Sequence, residues 1–92
     1  MLKPLYKPTF KRDFKRAIRR GKDPAKIQEV VKLLCSEAPL PPALRDHALK
    51  GKWSGFRDCH VEPDLVLVYR IVRDQLQLIC VHLASHADLF GK

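Results

Sequence analysis

The stretch from Glu37 to Pro42 reads EAPLPP, and no regular element can run through it. Each proline lacks a backbone donor and biases the residue before it towards extended geometry, so a helix entering this stretch must stop. The break divides the chain. Before it, apolar residues recur at helical spacing; after it, they alternate or run together as they do in strands. Such segregation predicts an α+β fold, in which helices cover one face of a sheet. With 92 residues there is room for one modest core, so residues 1–92 read as a single domain.

In the first part, Phe10, Phe14, Ala17 and Ile18 form a stripe at i, i+4, i+7 and i+8, with Thr9 in the N-cap position and Gly21 ending the helix. Asp23 followed by Pro24 starts a second helix, whose buried face is Ile27, Val30, Val31 and Leu34. Two antiparallel helices joined by a tight turn follow. Residues 2–7 can add a short strand, which Pro4 and Pro8 confine to a sheet edge. After the break, FRDCHV extends until Pro63, with Asp58, His60 and Glu62 on one face and Cys59 and Val61 on the other. Leu65–Val72, LVLVYRIV, and Gln75–Leu83 complete a three-stranded antiparallel meander through turns at Glu62–Asp64 and Arg73–Asp74. Finally, Ser85 opens SHAD, a Ser-x-x-Asp capping box for a last helical turn.

The net charge of +8 is not spread evenly. Residues 1–32 carry eleven Lys or Arg against three acids, whereas residues 33–92 carry seven of each. A field so placed attracts phosphates or an acidic partner; the plainer reading is a solvated face on an amphipathic helix. No apolar run is long enough for a membrane span, and the N-terminus lacks the apolar core of a signal peptide, so the expected address is the cytoplasm. Cys35, Cys59 and Cys80 are odd in number and form no CxxC, which speaks against a disulfide framework or a zinc knuckle; they read as reduced core residues.

Chemistry concentrates between Asp46 and Asp64, where nineteen residues hold two histidines, four carboxylates and three cations. His47, His60 and His86 each fall in a loop, strand or helix start, while His82 sits inside an apolar strand and reads as structural. Metal-free cleavage of an RNA phosphodiester needs a base for the 2′-hydroxyl, an acid for the departing 5′-oxygen and positive charge at the phosphate. His60 or His47 can serve as base and His86 as acid, with Lys50, Lys52 or Arg57 at the phosphate. Asp58 and Asp64 can orient an imidazole, and Phe90 or Trp53 can stack on a base. Plainer readings exist for most of them: Trp53 as a core anchor, the lysines as solvated, Arg57 paired with Asp46 or Glu62, Asp64 as a turn residue. Asp58, His60 and Glu62 form only a weak metal set, so neither a metal nor another cofactor is expected.

The run DHALKGKWSGFRDCHVEPDLVLVYR, followed by SHADLF, resembles the YafQ-type toxins of the RelE/ParE superfamily, and the likeness covers essentially the whole chain. The resemblance implies a RelE-like fold and a ribosome-dependent mRNA interferase of a bacterial type II toxin-antitoxin pair. It also implies cleavage of mRNA in the ribosomal A site, a small antitoxin as partner, and a toxin that is monomeric when free. Family functional positions fall on His47, Asp58, His60, Asp64, His86 and Phe90, all filled by the expected residue type; Ala84 stands where the family often has glycine. Two other readings compete: a non-catalytic relative that blocks a protein such as DNA gyrase, and a general basic RNA-binding module.

Overall fold

The computed structural model describes residues 1–91. Strand β1 (Lys3–Tyr6) leads into helices α1 (Pro8–Arg19) and α2 (Pro24–Ser36). Strands β2 (His47–Ala48), β3 (Arg57–Glu62), β4 (Leu65–Val72) and β5 (Gln77–Ala84) follow, and α3 (His86–Phe90) closes the chain. The five strands form one sheet in the order β1-β5-β4-β3-β2. Three helices on a five-stranded sheet match the expected α+β class, with two additions. β1 pairs parallel to β5, so the sheet is mixed, and β2 extends it beyond the meander.

The helices start and stop for local reasons. Asp23 accepts a hydrogen bond from the Ala25 amide at 2.9 Å and Pro24 occupies the first turn of α2. At the end of α1, Gly21 takes φ of +87°, which costs a glycine nothing, and turns the chain into α2. Thr9 is not a cap: α1 begins one residue earlier, at Pro8, and the Thr9 hydroxyl donates instead to the Val81 carbonyl. Val81 lies where the β4–β5 register shifts, between the pairs Val68–His82 and Tyr69–Cys80, so the side chain meets a carbonyl at an irregular point of the ladder. β5 starts at Gln77 rather than Gln75, because Arg73–Gln75 form a 3₁₀ turn.

The sheet has two unlike faces. Cys59, Leu65, Leu67, Tyr69, Leu78, Cys80 and Leu83 join Phe10, Ile27, Val30, Val31 and Leu34 in one apolar core under the helices. Burial pushes the Cys59 and Cys80 thiols up to about 12, which makes them inert packing groups, as expected. Asp13 fastens α1 to β5: its buried carboxylate accepts from the Leu83 amide at 3.1 Å, from Arg16 at 2.9 Å, and contacts His82 Nδ1 at 3.1 Å. The opposite face carries Val66, Val68, Asp58, His60 and His82; Trp53 of the Gly51–Trp53 turn meets His82 there, and His86 of α3 reaches Asp58.

Candidate active site

Three elements deliver the three histidines. His47 stands opposite Asp58 in the β2–β3 ladder, so both point to the helix-free face, and its Nδ1 lies 3.2 Å from Asp58 Oδ1. His60, two residues further along β3, shares that face. His86 opens α3, where Ser85 caps the turn by accepting from the Asp88 amide at 3.1 Å, as the SHAD motif foretells. Its Nε2 lies 3.5 Å from Asp58 Oδ2, and its ring centroid is 5.1 Å from that of His60. The imidazoles therefore meet around one carboxylate. Asp58 is fully buried, and neither of its oxygens has an aligned hydrogen-bond donor; the two imidazole nitrogens are in reach but off axis.

His60 Nδ1 lies 3.3 Å from the Pro63 carbonyl, an oxygen that can only accept; a proton on Nδ1 leaves Nε2 with a free lone pair. His47 Nδ1 is similarly placed, 2.9 Å from the Arg45 carbonyl. Phe90 follows His86 by one helical turn and its ring packs against the imidazole at 5.3 Å.

Several expected site residues stand elsewhere. Arg57 neighbours Asp58 in an extended strand and so points to the other face, where it donates to Asp46 Oδ2 from Nε at 3.2 Å and from Nη2 at 2.7 Å. The Tyr69 hydroxyl donates to the same carboxylate, and burial with this contact pushes the phenol up. Arg57 is thus a clamp behind the sheet, on the face away from the imidazoles. Asp64 does not reach an imidazole: both its oxygens bond Lys22 Nζ at 3.0 Å, which holds its carboxyl below the usual range. The carboxylate that lies beside the rings is Asp58 instead. Glu62 leaves the face of Asp58 and His60 because a bulge shifts the register after His60 and pairs Glu62 with Leu65, turning it towards Lys22 at 3.1 Å. Lys50 and Lys52 are exposed beside the Gly51–Trp53 turn and have no carboxylate partner among the described residues.

On this face the structure decides between two sequence readings of Trp53 and adds Arg70, which the sequence barely signals. Trp53 is not a core anchor: it is half-buried on the site face, with Phe90 at 6.0 Å, Phe56 at 5.7 Å and His82 at 5.7 Å. Arg70 lies on the same face with its guanidinium over the Phe56 ring at 5.9 Å. Its one sequence cue is a lone charge in LVLVYRIV, at the alternation of Val66 and Val68.

Between residues 2 and 91 the chain matches the family model described as bacterial toxin of type II toxin-antitoxin system, YafQ. The chain belongs to the YafQ toxin family. It is 41% identical over 76 residues to the mRNA interferase toxin YafQ of Escherichia coli K12, covering 82% of this chain and 80% of that one. Among solved structures, a metal-bound toxin from Helicobacter pylori superposes with a TM-score of 0.92 at 41% identity, over 98% of this chain and 100% of that one. The YafQ chain of the E. coli DinJ-YafQ complex superposes at 0.87 with 37% identity, over 99% and 100% of the respective chains. The expected RelE-like fold is therefore the observed one. Within this YafQ-family site, one nitrogen or oxygen each from Asp58, His60 and His86 lie within 4.8 Å of one another. A carboxylate and two imidazoles suit a divalent transition ion by donor type, and such an ion supplies Lewis acidity when bound. This set differs from the one the strand alone suggests, since His86 takes the place of Glu62.

Proposed function

We propose that this chain is a ribosome-dependent endoribonuclease that cleaves translated mRNA by general acid-base catalysis on its own side chains, without a metal. The observation that carries the reading is the gathering of His47, His60 and His86, from three separate elements, around the buried Asp58. In this scheme the 2′-hydroxyl gives its proton to Nε2 of His60, or to His47, as its oxygen bonds to phosphorus. The bond to the 5′-oxygen breaks, and that oxygen takes a proton from His86. The products are a 2′,3′-cyclic phosphate and a 5′-hydroxyl. Asp58 faces the positive charge that appears on the rings during transfer, and its burial makes that attraction stronger than in water. Lys50 and Lys52 supply mobile positive charge at the phosphate, and Phe90 offers a stacking face beside His86.

A ribosome-dependent toxin works in the cytoplasm, and the toxin class implies a cognate antitoxin that neutralises it; the E. coli relative is found in a DinJ-YafQ complex. Mapping transcript 5′ ends after induction, on translated and untranslated copies of one message, tests the reading. Cuts that follow the reading frame and persist with chelator present support it. General acid catalysis contributes roughly 10²–10⁴-fold, so His86→Ala loses that much cleavage and no longer arrests growth, with melting temperature and antitoxin binding kept. Growth arrest by the His47, His60, His86 triple alanine variant points to the target-blocking alternative.

A further inference from the structure

A line of rings leads away from the three histidines. From His60 it passes to His86 at 5.1 Å, to Phe90 at 5.3 Å, to Trp53 at 6.0 Å and to Phe56 at 5.7 Å, centroid to centroid. The first members account for chemistry at the phosphate and for one stacking face. Trp53, Phe56 and Arg70 do not belong to that chemistry. They also stand outside the main apolar core, which lies on the other side of the sheet, while this face has its own buried Val66 and Val68. Arg70 is exposed and has no carboxylate partner among the described residues. A guanidinium resting on an aromatic ring keeps its in-plane donors free for an acceptor.

The wall is held in place from behind. Trp53 abuts His82, whose Nδ1 meets the buried Asp13 at 3.1 Å, and Asp13 is itself tied to β5 by the Leu83 amide. A half-exposed indole supported in this way loses little freedom when a flat ligand settles on it, which favours binding. Single-stranded RNA is read by stacking unpaired bases on aromatic side chains and by hydrogen bonds from Arg to base edges.

We propose that Trp53, Phe56 and Arg70 form a second nucleobase subsite, next to Phe90, that selects the base flanking the cut. The subsite rests on the endoribonuclease reading above and adds to it a determinant of sequence preference. Occupancy of this wall fixes which nucleotide lies beside the scissile phosphate, while the imidazoles act on that phosphate whatever the base. Losing the indole therefore changes where the chain cuts more than whether it cuts.

The test is deep mapping of cut sites in cells expressing the unaltered chain, Trp53→Leu, Trp53→Tyr and Arg70→Gln. Removing one base-stacking partner is worth roughly ten-fold, so Trp53→Leu flattens the base preference at one position beside the cut by about that factor. Trp53→Tyr, which keeps a flat ring, retains it. Arg70→Gln, at an exposed position, alters preference at the same position. A uniform fall at all sites with preferences intact overturns the subsite, and so does an unchanged profile in Arg70→Gln and Trp53→Leu together. Intact preferences with weakened antitoxin neutralisation assign the wall to the antitoxin and overturn it equally. His86→Ala separates the two readings: cleavage surviving that change defeats the acid-base scheme, yet leaves the preference shift readable.

Discussion

Asp13 and Asp58 are the two buried carboxylates among the described residues, and they differ in one respect. Asp13 is surrounded by donors from Arg16, the Leu83 amide and His82, whereas Asp58 has imidazoles in reach and no aligned donor. A buried charge without aligned donors is destabilising, and folds retain such groups where chemistry requires them. Asp58→Asn is therefore expected to keep or raise the melting temperature while lowering cleavage roughly 100-fold, the size of an acid-base contribution. Asp13→Asn should do the reverse and lower stability. Calorimetry alongside a cleavage assay checks both, and a fall of more than about 5 °C in Asp58→Asn would place it with Asp13 as a structural group. At this scale the sequence is partly legible. The histidines and Asp58 sit in a recognisable pattern, but assigning Asp58 and Arg57 to one site ignores the alternation of a strand, which sends neighbours to opposite faces. Trp53 reads as a core anchor because its glycine neighbours say where the chain can turn, not which face the indole meets.

Between elements, the tie that shapes the site is Lys22. It sits in the α1–α2 turn and bonds Glu62 and Asp64, so the helix pair grips the β3–β4 turn whose Pro63 carbonyl steadies His60. The hydrogen bond to Asp64 raises Lys22 above its ordinary 10.5, and the same bond lowers Asp64 below 3.8. For a lowered carboxyl, the stability is fully present above the unfolded value and is lost as pH falls through the folded one; for a raised amine, it is present below the unfolded value and lost as pH rises past the folded one. The clamp is thus closed across neutral pH. As pH falls below about 4, the melting temperature of the unaltered chain should fall more steeply than that of Lys22→Met, and added salt should narrow the gap because the pair is exposed. Parallel curves would show that the tie does not contribute. Most elements are readable from period and punctuation, including the Asp23-Pro24 start and the SHAD turn. β1's parallel partner and the two-residue β2 are not: β1 pairs with a strand at the far end of the chain, and β2 is too short to show a period of its own. The bulge that removes Glu62 from the site arises in the same way, from the pairing with β4.

Across the whole molecule, the excess charge divides: Lys11, Lys15 and Arg19 lie on the exposed side of α1, while Arg16 and Arg20 border Ser85 and Asp88 beside His86. All of the +8 excess belongs to residues 1–32, which form β1, α1 and most of α2, while the imidazoles occupy the face those helices do not cover. Lys11, Lys15 and Arg19 run along the exposed side of α1, and no carboxylate among the described residues pairs with them. The exposed row on α1 can hold one polyanion while the cleft meets another, which suits the proposed nuclease working between ribosomal RNA and mRNA. The two surfaces should then respond differently to mutation. Each cation that neutralises a phosphate steepens the fall of log affinity with log salt by roughly one, so changing Lys11, Lys15 and Arg19 to Gln should weaken ribosome engagement strongly at physiological salt and flatten its salt dependence by about three. The rate at saturating ribosome should stay near that of the unaltered chain, because none of the three side chains reaches the imidazoles. Single-turnover cleavage on programmed ribosomes across a salt series separates these quantities, and a fall in the saturated rate with an unchanged salt slope would place the basic helix inside the chemical step instead of behind it.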